Sequence, residues 1–239
     1  MGILNAIKKE VQGQINLILP MCFTFLLRKS IDIISVIFVG HLGSRYLSAS
    51  GLATVTANVT GNSMIIGLAG ALSTICSQLY GAKTKSNRAI NIVLPRSILI
   101  ICTVVTIPVS LLWFHGTQVL LLFGQQHQIS SDAGDFLIRL IPGLWALTFS
   151  NCIQNWLYSQ SKTTFVLGVT IVVALCHPVF CYVFIYKLNY GYIGAAIASS
   201  LSKILELSML LVFMRCKSTF QMEWSMTVFH DWLPFLQLG

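Results

Sequence analysis

Charge is what this sequence lacks: Asp, Glu, Lys and Arg together make up 9% of its 239 residues. A soluble domain carries charge at roughly a quarter of its positions. No water-facing surface can be built from so few ionic groups, so lipid must be the solvent around most of the chain. Acidic residues are the scarcest, seven against fifteen Lys and Arg, for a formal net charge of +8. That excess does not point to nucleic acid. The basic residues sit in short gaps between apolar stretches, not on a stripe interleaved with aromatics. Also missing are a CxxC pair, a Cys/His spacing suited to zinc, an HExxH pair, a phosphate-binding loop and a nucleophile–base pair. Neither an enzyme nor a bound cofactor or metal is therefore expected. Six of the seven cysteines lie in apolar segments and read as small apolar residues; Cys216 alone lies outside one. Period-two alternation is absent as well, which excludes a membrane barrel. Lipid supplies no hydrogen bonds, so helices remain.

What is present is length and apolarity. Apolar residues make up 55% of the chain, and the expected fold is an all-α integral membrane bundle of six transmembrane helices. Residues 13–39 read as one long helix bent at Pro20, since Arg28-Lys29-Ser30 leads straight into a second apolar run and no small-residue cleavage site follows the first. The next helix covers 47–78, long enough to tilt or protrude from the hydrocarbon. Further helices are predicted at 90–114, 133–158, 164–186 and 193–214, with a short interfacial helix and loop over 117–131. The organisation expected is a cytoplasmic segment 1–12, a membrane lobe 13–214 and a cytoplasmic tail 215–239 that opens a seventh helix. Lys8, Lys9, Lys83, Lys85, Arg88, Lys162, Arg215 and Lys217 fall on one side, whereas Arg45 and Lys187 fall on the other. Lys and Arg concentrate on the cytoplasmic side, so both ends are expected there.

Polar groups inside the bilayer are where function shows, because each costs free energy unless paired or wetted. Ser50, Thr54, Asn58 and Asn62 recur every four residues and share one helix face. Ala53, Ala57 and Gly61 form a small-residue face beside it. This is either interhelical packing or one wall of a wet cavity. His177 precedes Pro178, which leaves the Ala174 carbonyl without its helical donor. The imidazole can bond that backbone, or it can titrate near neutral pH as a proton carrier. Arg28 and Lys29 are each within a turn of Asp32, and Lys203 is three residues before Glu206, so two local ion pairs are expected. Gln154 and Asn151 add amides in the fourth span, where Trp145 and Trp156 could stack on a flat organic cation.

Three stretches carry a resemblance. Ser35-Val36-Ile37-Phe38-Val39-Gly40-His41-Leu42-Gly43, Asn58-Val59-Thr60-Gly61-Asn62-Ser63 and Ala71-Leu72-Ser73-Thr74-Ile75-Cys76-Ser77-Gln78-Leu79-Tyr80-Gly81-Ala82 resemble the first two helices of eukaryotic multidrug and toxic compound extrusion (MATE) transporters. Pro95-Arg96-Ser97, Leu122-Phe123-Gly124-Gln125, Ile141-Pro142-Gly143 and Gly194-Ala195-Ala196 follow in that family's order. The resemblance implies a transporter of two six-helix lobes around a central cavity. Such a protein exports organic cations and other amphipathic solutes in exchange for H⁺ or Na⁺, at the plasma membrane or an endomembrane. The wall expected here is Asn58, Thr60, Gln154 and His177, with Asp32. Ser73 stands where the family motif is acidic, and Ser35 and Cys181 where prokaryotic members place aspartates. Asp231-Trp232-Leu233-Pro234-Phe235-Leu236 resembles the lead-in to a seventh helix, so a fragment or truncated form is expected. Other readings are a half-size subunit that assembles with a second six-helix lobe, a lipid-carrier flippase, or a membrane protein that transports nothing.

Overall fold

The structure, a computed structural model, describes residues 2–81 and 87–216. Among these residues there is no strand, and nine α-helices follow one another. They are α1 (Gly2–Gly40), α2 (Ser44–Ala57), α3 (Ser63–Gly81), α4 (Asn87–Ile101), α5 (Ile107–Phe114), α6 (Gly116–Leu122), α7 (His127–Ser159), α8 (Thr163–Tyr182) and α9 (Tyr192–Cys216). One π turn, Asn58–Asn62, joins α2 to α3, and another, Cys102–Thr106, joins α4 to α5. A third, Val183–Lys187, ends α8. The nine helices therefore make six long rods and one short one.

Five rods are long and apolar enough to cross a membrane: Ser44–Gln78, Leu94–Phe114, His127–Ser159, Thr163–Lys187 and Tyr192–Cys216. The sixth rod, α1, has 39 residues and carries Arg28, Lys29 and Asp32 partway along. It runs through Pro20 without a break, and it begins at Gly2 rather than near residue 13 as predicted. The other ends fall close to prediction, except that α7 starts at His127, six residues ahead of 133. The short helix expected after residue 116 is α6, and it ends at Leu122 and Phe123, both well exposed. The expected tail lies outside the described residues beyond Cys216.

α7 is the hub, in contact with α2, α3, α6 and α9, while α1 lies along α8. Lipid tails are as apolar as leucine, so burial alone does not drive these helices together; close packing and hydrogen bonds must. Small residues permit that approach. A Cβ on Gly143 of α7 would lie 2.9 Å from the Ser200 Cα of α9, and Ser200 Oγ donates to the Arg139 carbonyl at 2.7 Å. A Cβ on Gly61 would meet the Trp113 ring at 2.8 Å. Ala53 and Ala57, on the same face as Gly61, are buried. Thr106, in the second π turn, and Thr148 of α7 share a hydrogen bond of 2.8 Å. The outer surface shows Phe25, Leu26, Val55, Leu111, Leu175 and Val212, each more than half exposed, as hydrocarbon contact requires.

Candidate functional site

A partly open cavity of about 400 Å³ lies between α1, α2, α7 and α9. Ser50, Thr54, Asn58 and Asn62 all line it. In a regular helix, a step of four residues over-rotates by about 40°, so a stripe of this spacing would drift off its face. The π turn at Asn58–Asn62 takes one more residue per turn and offsets that drift. These side chains bond within their own rod. Ser50 Oγ donates to the Leu47 carbonyl at 3.1 Å, Thr54 Oγ1 to the Ser50 carbonyl at 2.8 Å, and Asn62 Nδ2 to Asn58 Oδ1 at 2.8 Å.

The facing wall is held by Arg28. Its Nη2 donates to Glu206 Oε1 at 2.7 Å and to Gln154 Oε1, and its Nη1 donates to Asn151 Oδ1 at 3.3 Å. Gln154 Nε2 donates to the same Glu206 oxygen at 3.0 Å. One guanidinium thus ties α1 to α7 and α9. This corrects the expected pairing: Glu206 accepts from Arg28 across the bundle rather than from Lys203 along its own helix. Asp32 is left with Lys29 at 3.7 Å, both about half exposed. The local rule fails for Glu206 because a planar guanidinium reaches a carboxylate and an amide together, which an ammonium one turn away cannot do as well.

Of the residues predicted for the wall, the structure brings Asn58, Gln154 and Asp32 to the cavity. Thr60 and His177 are not among its lining residues. Two positions after Asn58, Thr60 turns away toward α5, where its Oγ1 accepts from Trp113 Nε1 at 3.0 Å and donates to the Thr56 carbonyl. His177 is fully buried one layer behind the wall. It bonds side-chain hydroxyls, not the Ala174 carbonyl: Nε2 lies 2.8 Å from Ser35 Oγ and Nδ1 lies 2.8 Å from Ser202 Oγ. Because Ser202 Oγ donates its proton to the Ala198 carbonyl at 2.9 Å, it accepts from Nδ1–H, which leaves Nε2 to accept from Ser35. Ser35 and Ser202 both line the cavity, so each connects the imidazole to it. Cys181 Sγ is 3.3 Å from the same Nε2. Trp145 and Trp156 do not line the cavity, and Trp156 packs under the Lys162 amine instead.

Sequence reasoning placed Arg28 and Glu206 only in local pairs, although charge at membrane depth was itself the signal that something must hold it. Lys203 and Tyr158 were not placed on the wall, yet both line the cavity.

Comparison with known proteins agrees along most of the chain. Protein DETOXIFICATION 16 from Arabidopsis thaliana is 34% identical over 238 residues, which cover 98% of this chain and 48% of that protein. Protein DETOXIFICATION 17 from the same plant is 35% identical over 92% of this chain and 45% of its own length. The crystal structure of the eukaryotic MATE transporter AtDTX14 superposes with a TM-score of 0.88 at 29% identity, covering 97% of this chain and 52% of that one. An outward-facing MATE family transporter of the MOP superfamily shares the fold, with a TM-score of 0.82 at 18% identity. The chain spans about half the length of the curated relatives it matches. The MatE family model matches residues 20–183, and with spans of this length the chain is a multi-pass integral membrane protein of the MatE family.

Proposed function

We propose that this lobe forms half of the cargo pathway of a secondary-active antiporter, which exports small amphipathic organic compounds in exchange for H⁺ or Na⁺. The family consists of transporters, and the lobe acts here by binding and gating, not by catalysis. The observation that carries the reading is the cavity set into a membrane bundle, lined along the Ser44–Gln78 rod by a four-residue polar stripe in which Ser50, Thr54 and Asn62 donate within the rod itself. Asn58, Gln154 and Asp32 contact cargo or its water. Thr60 bonds Trp113 of α5 on the opposite side of the same π turn and serves packing, not cargo. A second six-helix lobe closes the pathway from the other side, and alternating access exchanges the two openings.

For a proton-coupled cycle, His177 is the carrier. Ser35 accepts a proton from a hydronium in the cavity as it passes its own to Nε2, leaving water behind, so the imidazole gains charge without facing lipid. Ser35 and Cys181, where prokaryotic relatives are expected to have aspartates, both touch this nitrogen. A histidine would then do the work of those carboxylates. Organic cations, the cargo that the resemblance implies, meet a wall whose two carboxylates already have partners.

The test is export. Cells carrying this chain joined to a second lobe should lose a fluorescent organic solute several-fold faster under an inward proton gradient. His177→Gln should remove the dependence on the gradient while surface expression stays unchanged. Export that ignores the gradient in the unaltered protein removes proton coupling. No export at all, with the protein at the surface, removes the carrier reading.

A further inference from the structure

We propose that the α9 side of the cavity is a binding site for the anionic group of an organic anion, with Lys203 as its charge partner. This rests on the cavity being the cargo pathway, and it names the class of cargo. Five charged side chains line the cavity: Arg28, Lys29, Asp32, Lys203 and Glu206. The two carboxylates are already taken, Glu206 by Arg28 at 2.7 Å and Asp32 by Lys29 at 3.7 Å. Among the described residues, Lys203 has no carboxylate within ion-pair distance. Three cations against two carboxylates leave one positive charge on the wall. Asp32 and Glu206 act on this ammonium only at longer range, each closer to another cation, so an anion brought beside it offsets the cost of its burial.

The hydrogen-bond inventory points the same way. Asn151 is 4% exposed, and its side-chain oxygen accepts from Arg28 Nη1, which fixes the amide's orientation. Its Nδ2 is buried with no acceptor among the described residues, and so is Arg28 Nε. Both residues line the cavity. This side of the cavity therefore holds one cation without a close carboxylate and, buried just behind the surface on α7 and α1, two N–H donors without acceptors. A carboxylate, sulfonate or phosphate supplies the missing charge, and its oxygens take up the two N–H groups once those side chains turn toward the cavity. On the α2 wall the imbalance reverses, since Asn62 Oδ1 is a buried acceptor with no donor. A hydroxyl or N–H on the far end of the cargo fits there once the Asn62 amide turns toward the cavity. Phe136, Leu140 and Leu147 lie among the apolar lining for the body between. A cationic cargo would have to share Asp32 with Lys29, or Glu206 with Arg28, and meet the charge of Lys203 as well.

The test is dye binding to the purified chain in detergent, read by fluorescence polarisation against empty micelles. The anionic dye fluorescein should bind more tightly than the cationic dye ethidium. Lys203→Gln should weaken fluorescein by about tenfold, a change of one decade in Kd, with the thermal unfolding curve unchanged. Lys203→Arg should restore most of the affinity. Fluorescein affinity unaltered in a folded Lys203→Gln protein overturns the assignment. Should that variant fail to fold, the unaltered chain still decides: ethidium bound as tightly as fluorescein, or fluorescein not bound, overturns it. Ethidium binding alone would leave the carrier reading intact. Fluorescein bound through Lys203 by a protein that exports nothing would instead remove the carrier reading and leave the anion site standing.

Discussion

The Ser44–Gln78 rod and α7 are both membrane spans rich in polar residues, yet they use them in opposite ways. The apolar window of α7 is 67% buried, against 28% for the Ser44–Gln78 rod. Polar side chains of α7 reach across to other helices: Thr148 to Thr106, Asn151 to Arg28, Gln154 to Glu206. Those on the cavity face of α2 bond to their own backbone or to each other. In lipid, cross-helix hydrogen bonds and close packing are what hold helices together. A face whose donors bond within their own rod can meet a wet space without undoing a cross-helix bond. The hub carries the cross-helix bonds, and the stripe is the face that the proposed function gives to cargo.

The strongest way to break this division is to remove the carboxylate on which three helices converge. Glu206→Ala leaves the Arg28 guanidinium unpaired beside Gln154, and loss of one partner of a buried pair costs about 3 kcal/mol. The thermal midpoint in detergent should fall well below that of the parent. The double substitution Arg28→Met with Glu206→Met should recover much of the loss, because it removes the unpaired charge along with the pair. A single-site loss no larger than that of an α2 stripe residue would erase the contrast. Next in size is Gly143→Ala. The new Cβ meets Ser200 backbone rather than a movable chain end, so α7 and α9 must separate, at about 1–3 kcal/mol. Gly51→Ala on α2 has open space around its Cβ and should leave the midpoint near the parent value.

What could be read from sequence follows the range of the interaction. The stripe of Ser50, Thr54, Asn58 and Asn62 was legible because a helix face is a local property, fixed by spacing alone. The rods were legible because the hydrocarbon imposes their length. Thr60 was misjudged by the same local rule. A residue two positions from Asn58 is rotated by about 200°, so both cannot face one cavity. Arg28 and Glu206 are 178 positions apart, and nothing in their neighbourhoods names the partner. Each has a plausible mate within a turn, and the structure chooses the distant one. His177 fell between these cases. Pro178 marked it as special, but the hydroxyls that fix its tautomer come from α1 and α9.

The smaller tests separate the two faces of a single turn. Thr60→Val removes the acceptor for Trp113 Nε1 and leaves a buried donor unsatisfied, at about 1 kcal/mol. Its hydroxyl is not on the cavity, so dye affinity should stay near the parent value while the midpoint drops. Asn58→Ala should do the reverse. Its Oδ1 accepts from Asn62 within the same turn, so the loss of stability should stay within about 0.5 kcal/mol. Dye affinity should fall, because the substitution frees Asn62 Nδ2 and removes an acceptor from the wall. The two residues are neighbours in one π turn and would be affected alike by any general loosening of it. Opposite responses, midpoint without affinity in one and affinity without midpoint in the other, are therefore the result that only a rod with a structural face and a cargo face can give.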